Sequence, residues 1–326
     1  MMDLQCRKAL NRELYAKIYL IRKAENLIIE NYADNGMKTP MHMSMGEEAT
    51  SVGVCQALGP RGIVVGYYRS HALFIAKTGN TDKFFGEMYG KVSGTANGKA
   101  GSMHLSSPED GFICASAVVA STISVAMGVA FASQARKDNV VVASFFGDGA
   151  MDSGAFWESL NFACLRHVPL LFVCEDNDLA VNIFSRERQG FDSMTELVGK
   201  YNCVVLEADT TDAEEIYQLT LKAVKLMKEA NQPCFLRLKC YRYLEHVGVR
   251  EDFGLGYRSK EDFLEWYKRD PVLVQRKKLL ELGVGEEDVI AMEKILDAKA
   301  LRSIELAKSS SFPDKSELFK GVFCGE

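Results

Sequence analysis

Between residues 7 and 35, apolar side chains recur at helical spacing (Leu10, Leu14, Ile18, Ile21, Ile28), and the Asn35-Gly36 pair stops the pattern. Four short apolar runs come much later, at residues 140–146, 170–174, 203–206 and 234–238. Each is too short for a buried helix and the right length for a buried strand. Helical patterns lie between them, most clearly over 212–230, where Ile216, Leu219, Ala223 and Met227 share one face. Strands that return about every thirty residues with helices between them predict βαβ units. The fold class is therefore α/β, with a doubly wound, mostly parallel sheet. Residues 271–309 read as helical and highly charged, a peripheral cap. These patterns divide the chain into an α/β domain over 1–260, which includes the N-terminal helix, and a helical C-terminal extension over 261–326.

Composition narrows the picture. A chain of 326 residues that is 47% hydrophobic can bury a sizeable core. A net charge of -5 excludes a general electrostatic nucleic-acid binder. Residues 111–135 carry no formal charge and are long enough to cross a bilayer. Ser116, Ser121, Thr122, Ser124 and Ser133 punctuate that stretch, which predicts a loop leading into a buried helix and no membrane span. Asp3, Arg7, Lys8, Arg12 and Glu13 leave no apolar core for a secretory signal. Nine cysteines occur singly, several of them in apolar runs, which points to a reduced, cytoplasmic compartment.

In doubly wound sheets, ligands bind beyond the carboxyl ends of the strands. Three polar segments follow predicted strands: Gly147-Asp148-Gly149-Ala150, Glu175-Asp176-Asn177, and Tyr241-Arg242-Tyr243-Leu244-Glu245-His246. Each alone is most often a turn; their convergence on one sheet edge is the signal. Asp148 and Asn177 offer a carboxylate and an amide oxygen, hard ligands that suit magnesium or calcium. The backbone after Gly149 is predicted to enter a helix near Asp152, presenting free N–H groups to a diphosphate. A glycine-rich stretch (Gly90, Gly94, Gly98, Gly101) reads as a loop that closely approaches something, and Arg69 is a candidate phosphate ligand. Together these residues describe a magnesium-diphosphate cofactor site. The glycine-containing segment 241–250 is expected to be mobile until the cofactor orders it.

The Gly147-Asp148-Gly149 triplet, followed by Asp176-Asn177, resembles the thiamine-diphosphate motif. The wider chain resembles the alpha subunit of thiamine-diphosphate-dependent 2-oxo acid dehydrogenases. The resemblance covers about residues 10–300 and includes residues 42–49, Tyr68-Arg69-Ser70-His71, residues 98–104 and Gly256-Tyr257-Arg258-Ser259. It implies that Asp148, the Asn177 side chain and the Leu179 carbonyl hold Mg2+. Tyr68 and Arg69 would meet the diphosphate beside Gly149 and Ala150, and the backbone at Val119 the aminopyrimidine. His246 would be the active-site histidine, also touching cofactor, and His42 would lie near the substrate carboxylate. His71 and His104 are left out of the catalytic set.

The resemblance further implies a beta subunit, in a two-alpha, two-beta assembly, that contributes the carboxylate activating the pyrimidine. Within this chain Glu47 or Glu48 would be the internal stand-ins. A lipoyl-bearing acyltransferase would take the acyl group from a small 2-oxo acid. The chain departs from the family pattern in four places. Asp176 replaces the first of two asparagines and sets an extra carboxylate beside the metal. Leu244-Glu245 replaces His-Gly, Val247 a serine that is phosphorylated in mammalian relatives, and Ser124-Val125-Ala126 a common Pro-Leu-Gly. Rival readings are a carboligase that adds an activated aldehyde to a carbonyl acceptor, a magnesium-dependent hydrolase or phosphotransferase, and a cofactor-free interaction subunit.

Overall fold

The computed structural model describes residues 3–321. Seven strands form among these residues: β1 (Ile63–Val65), β2 (Val142–Gly147), β3 (Leu170–Asp176), β4 (Leu179–Ala180), β5 (Ile183–Phe184), β6 (Val204–Ala208) and β7 (Cys234–Lys239). Five of them make one parallel sheet in the order β1-β2-β3-β7-β6, and β4 and β5 make a small antiparallel hairpin. The four apolar runs thus become β2, β3, β6 and β7. The three-residue β1 leaves too little pattern to be read from sequence.

Successive strand residues point to opposite faces. Ala143, Phe145, Leu171, Val173, Leu236 and Leu238 pack with the helices Leu4–Tyr32 and Glu48–Leu58. Val142, Phe146, Leu170, Phe172, Cys174 and Phe235 pack with Ser121–Arg136 and Gly154–Arg166. Burial on both faces is what turns these strands into continuous apolar runs. The first helix starts at an Asp3 cap, buries all five residues of its predicted stripe and ends at Tyr32, just before Asn35 at φ 56°. The predicted 212–230 helix is Ala213–Ala230, capped by Asp212. The charged cap resolves into Pro271–Glu281 and Glu286–Ser309, broken at Gly283.

One expectation changes. The Ser121–Arg136 helix is not buried all round: Ile123, Ala126 and Ala130 face the core, whereas Val125 and Phe131 are exposed. The glycine-rich loop does make a close approach, to a carboxylate of its own chain. Buried Glu87 accepts four backbone N–H groups, from Ala96 (2.8 Å) and Gly98 (3.1 Å) on one oxygen and Ala100 (2.7 Å) and Gly101 (2.9 Å) on the other. Gly98 lies at φ 74°, and a Cβ there would sit 2.2 Å from the Gly90 carbonyl carbon. Hydrogen bonds to a charged acceptor net about 1.5–3 kcal/mol each, and more when their loss leaves buried N–H groups unpaired. Glu87→Ala is therefore expected to lower the urea midpoint by the equivalent of roughly 3–5 kcal/mol, with Glu87→Gln in between.

Candidate active site

Asp148 stands at the end of β2 and opens a 3-10 turn, Asp148–Asp152. Helix Gly154–Arg166 starts only after this turn, and Ser153 caps Ala155 N–H at 3.3 Å. Gly149 and Ala150 thus lie in the first residues of this 3-10 turn, and the α-helix begins two residues beyond Asp152, close to where the sequence places a helix start. Gly149 lies against the β4–β5 hairpin, where an added Cβ would meet the Ala180 Cβ at 2.9 Å. On the adjacent strand, β3 ends at Asp176 and delivers Asn177, whose Oδ1 accepts Leu179 N–H at 3.1 Å. Because β7 lies next to β3, the segment after β7 reaches the same place and brings His246.

These three strand ends surround a cavity of about 260 Å³. Its walls contain His42, Tyr68, Arg69, Val119, Asp148, Gly149, Ala150, Asn177, Leu179 and His246, the residues that the resemblance assigns to cofactor, metal and catalysis. Tyr67, Met103 and Val181, which the sequence does not single out, border it too.

The Asp148 carboxylate is almost wholly buried. One oxygen is held by Arg188 and by the Ser185 hydroxyl (3.3 Å), while Oδ1 has no partner. Burial above all, then the negative charge of Asp176, pushes its pKa up to about 7, against the pull of Arg188. Asp176, the extra carboxylate beside this site, has partners of its own. Its Oδ2 pairs with Arg237 Nε at 2.7 Å and its Oδ1 accepts Asp178 N–H at 3.0 Å.

Across the cavity the charge is positive. Arg69, fully buried, donates to the Met43 carbonyl at 2.7 Å and to the His246 carbonyl at 3.3 Å. Buried Arg242 donates to the Val181 carbonyl at 3.2 Å and the Tyr257 hydroxyl at 2.7 Å. Both guanidinium groups approach His246 Nδ1 at 3.4 Å. A guanidinium only donates, so we assign Nδ1 as an acceptor and put the His246 proton on Nε2. Burial, then Arg69 and Arg242, lowers the His246 pKa to about 4; burial and Arg69 lower that of His42 to about 3. Both rings are neutral near pH 7. They lie 5.2 Å apart edge to face, with the Tyr68 ring 4.7 Å from His42 and 5.5 Å from His246.

Several contacts hold the histidine segment in this arrangement. Arg258 donates to the carbonyls of Arg242, Tyr243 and Leu244, and pairs with Asp252. Gly248 N–H donates to the Met41 carbonyl at 2.8 Å, and Glu245 accepts Arg250 N–H at 3.0 Å. His71 is buried against Glu25 at 3.0 Å, and His104 is exposed and away from the cavity. Glu47 and Glu48 both lie beneath the cavity wall: Glu48 pairs with Arg22 at 2.6 Å, and neither borders the space.

Residues 16–316 match the dehydrogenase E1 component family. The chain belongs to that family. Among dehydrogenase E1 relatives, the pyruvate dehydrogenase E1 component subunit alpha of Porphyra purpurea is 29% identical over 318 residues, covering 95% of this chain and 92% of that protein. The alpha-2 mitochondrial form of Arabidopsis thaliana is 32% identical over 292 residues, covering 87% of this chain and 72% of that protein. The alpha subunit of acetoin:2,6-dichlorophenolindophenol oxidoreductase from Bacillus subtilis is 27% identical over 310 residues, covering 95% and 92%. In this E1 chain, sequence reasoning misses Arg188 and gives Arg242 no role beside His246. A basic residue in a polar segment carries no local sign of the carboxylate or ring it will meet.

Proposed function

We propose that this chain is the alpha subunit of a thiamine-diphosphate-dependent dehydrogenase that oxidatively decarboxylates a small 2-oxo acid and passes the acyl group to a lipoyl carrier. The observation that carries this reading is that Asp148 and Asn177, from neighbouring strand ends, share one cavity with Arg69 and His246. The residues fit the cofactor. A buried carboxylate oxygen without a partner suits a cation, and two buried guanidinium groups beside one ring suit a diphosphate. Among the described residues no group of three or more His, Cys, Asp and Glu is arranged to hold a metal. A cation at Asp148 therefore needs ligands beyond this chain's acidic side chains, and diphosphate oxygens supply them, as is usual for Mg2+.

In this reading Asp148, Asn177 Oδ1 and the Leu179 carbonyl hold Mg2+. Tyr68 and Arg69 bind the diphosphate beside Gly149 and Ala150, and the backbone at Val119 supports the aminopyrimidine. Thiamine diphosphate, when bound, supplies the electron sink for decarboxylation. His246, neutral and protonated on Nε2, donates a hydrogen bond to developing negative charge at the acyl-transfer stage. His42, held against Tyr68, orients the substrate carboxylate.

A beta-type partner completes the site. The cavity is smaller than the roughly 300–1,000 Å³ of complete small-molecule sites. Val119 and Val181 border it yet are half exposed, and Val118 and Val247 beside lining residues are exposed as well. An apolar rim of this kind is an interaction surface. Two alpha and two beta chains, with residues 261–326 as a helical extension of the alpha chain, complete the proposal. All eight described cysteines are unpaired, and no described helix is long and apolar enough to cross a membrane.

The test is to co-express this chain with its beta-type neighbour and assay a panel of 2-oxo acids with artificial and lipoyl acceptors. We expect decarboxylation and acyl transfer from the pair and little turnover from this chain alone. Robust turnover by the single chain would overturn the two-chain site, and transfer only to carbonyl acceptors would make it a carboligase.

A further inference from the structure

The buried carboxylate of Glu47 stands at the start of helix Glu48–Leu58, and nothing in the reading above uses it. It does not border the cavity, yet it touches two residues that do. Its Oε1 accepts the Asn177 Nδ2 hydrogen bond at 2.7 Å, and its Oε2 lies 3.7 Å from Arg69 Nε. We propose that Glu47 is a positioning residue for the metal: by accepting the Asn177 amide N–H it fixes the end of that amide that a cation meets.

The need for such a device follows from the amide itself. An asparagine side chain carries an acceptor at one end and two donors at the other, and the two ends have nearly the same shape. Only the oxygen can ligate a cation; rotation by half a turn would present N–H groups and repel it. Two contacts set the orientation here. Leu179 N–H donates to Oδ1 at 3.1 Å, leaving that oxygen a second lone pair, and Glu47 takes the nitrogen end. The Leu179 contact is local to its turn. Glu47 is the long-range anchor, because it arrives from a helix packed under the sheet and has almost no surface exposed.

The chemistry required of Glu47 is acceptance of one hydrogen bond, not proton transfer and not charge. Glutamine offers the same acceptor at the same reach, so Glu47→Gln separates this role from that of an internal acid activating the cofactor ring. Glu47→Ala and Glu47→Met both remove the acceptor, and Met keeps most of the buried volume.

This inference rests on the cofactor reading above, and its test separates the two. The chain is purified with its beta-type partner, stripped with chelator and titrated with Mn2+ in the presence of thiamine diphosphate, with bound metal read by electron paramagnetic resonance. Groups that orient a metal ligand are worth about 10–100-fold in affinity, and a loss of that size is expected for Glu47→Met and Glu47→Ala. Glu47→Gln is expected to bind within about threefold of the unaltered protein, a rescue that simple loosening of the fold would not give. In an Asn177→Ala background, Glu47→Met should add no further loss, since coupled residues are not additive. Unchanged Mn2+ affinity in Glu47→Met, or a loss in Glu47→Gln as large as in Glu47→Met, would overturn the proposal. Failure of the unaltered assembly to bind Mn2+ with thiamine diphosphate would instead take down the cofactor reading beneath it.

Discussion

Asp148→Asn is expected to abolish metal-dependent binding of thiamine diphosphate while making the cofactor-free protein more stable at neutral pH. Loss of the ligand itself should cost at least about 100-fold in affinity, since groups that only orient a ligand are worth 10–100-fold. The stability gain follows from burial. The Asp148 pKa is raised from 3.8 to about 7 in the folded chain. Below about pH 4 the group is protonated whether the chain is folded or not, so its burial costs nothing extra. As pH rises from about 4 to 7 the unfolded chain releases the proton first, and stability is lost; above 7 the loss is complete. At about 1.4 kcal/mol per unit, the full effect is a few kcal/mol. Asparagine carries no such dependence. The difference in melting temperature between variant and parent should therefore widen from pH 4 to pH 8, and calorimetric titration with Mg2+ and thiamine diphosphate should show no binding by the variant. Equal affinity in the two proteins would remove Asp148 from the metal site, and a pH-independent difference in melting temperature would show that the carboxylate is not strained by burial.

His246→Ala is expected to keep most affinity for thiamine diphosphate and to lose acyl transfer by roughly 10²–10⁴-fold, the usual scale for a positioned proton-handling group. Decarboxylation followed with an artificial electron acceptor should suffer less than transfer to a lipoyl domain. Burial, with Arg69 and Arg242 beside it, keeps the ring neutral, so nuclear magnetic resonance of the cofactor-free protein should show the His246 imidazole unprotonated down to about pH 4. His246→Gln, which retains a neutral N–H donor, should recover part of the lost transfer. A variant that transfers acyl groups at the parental rate would strike His246 from the site, and one that fails to bind cofactor would assign it to the framework of the 241–250 segment.

Much of the site is legible in the chain because its ligands sit directly after strands, and buried parallel strands announce themselves as short apolar runs. Asp148 and Asn177 can be read this way, and the resemblance around Tyr68-Arg69 and His246 adds the rest of the cavity wall. What is illegible depends on pairings between distant segments. Asp176 reads as a carboxylate beside the metal, and only the pairing of β3 with β7 shows Arg237 holding it. Glu87 gives no sign in the sequence that it gathers four N–H groups from the loop that follows. Arg258, which holds the carbonyls of the histidine segment, comes from outside that segment. Nothing near Arg188 in sequence shows that the helical turn Ser185–Arg188 folds back onto Asp148.

The position of β7 also sets the order in which the protein can assemble. Strand β6 is synthesised first but pairs only with β7, and the Leu171–Asp176 edge of β3 takes β7 as its neighbour. Until the last strand arrives, β3 presents an unsatisfied edge and β6 has nowhere to dock, a state prone to wrong pairing. Pairing across so long an intervening stretch is slow, since loop closure must precede the contacts that reward it. The segment that brings His246 follows β7 directly, so the cavity closes only when the sheet does. A nascent or truncated chain that stops short of residue 234 has its Asp148 and Asn177 already made and no pocket in which to use them.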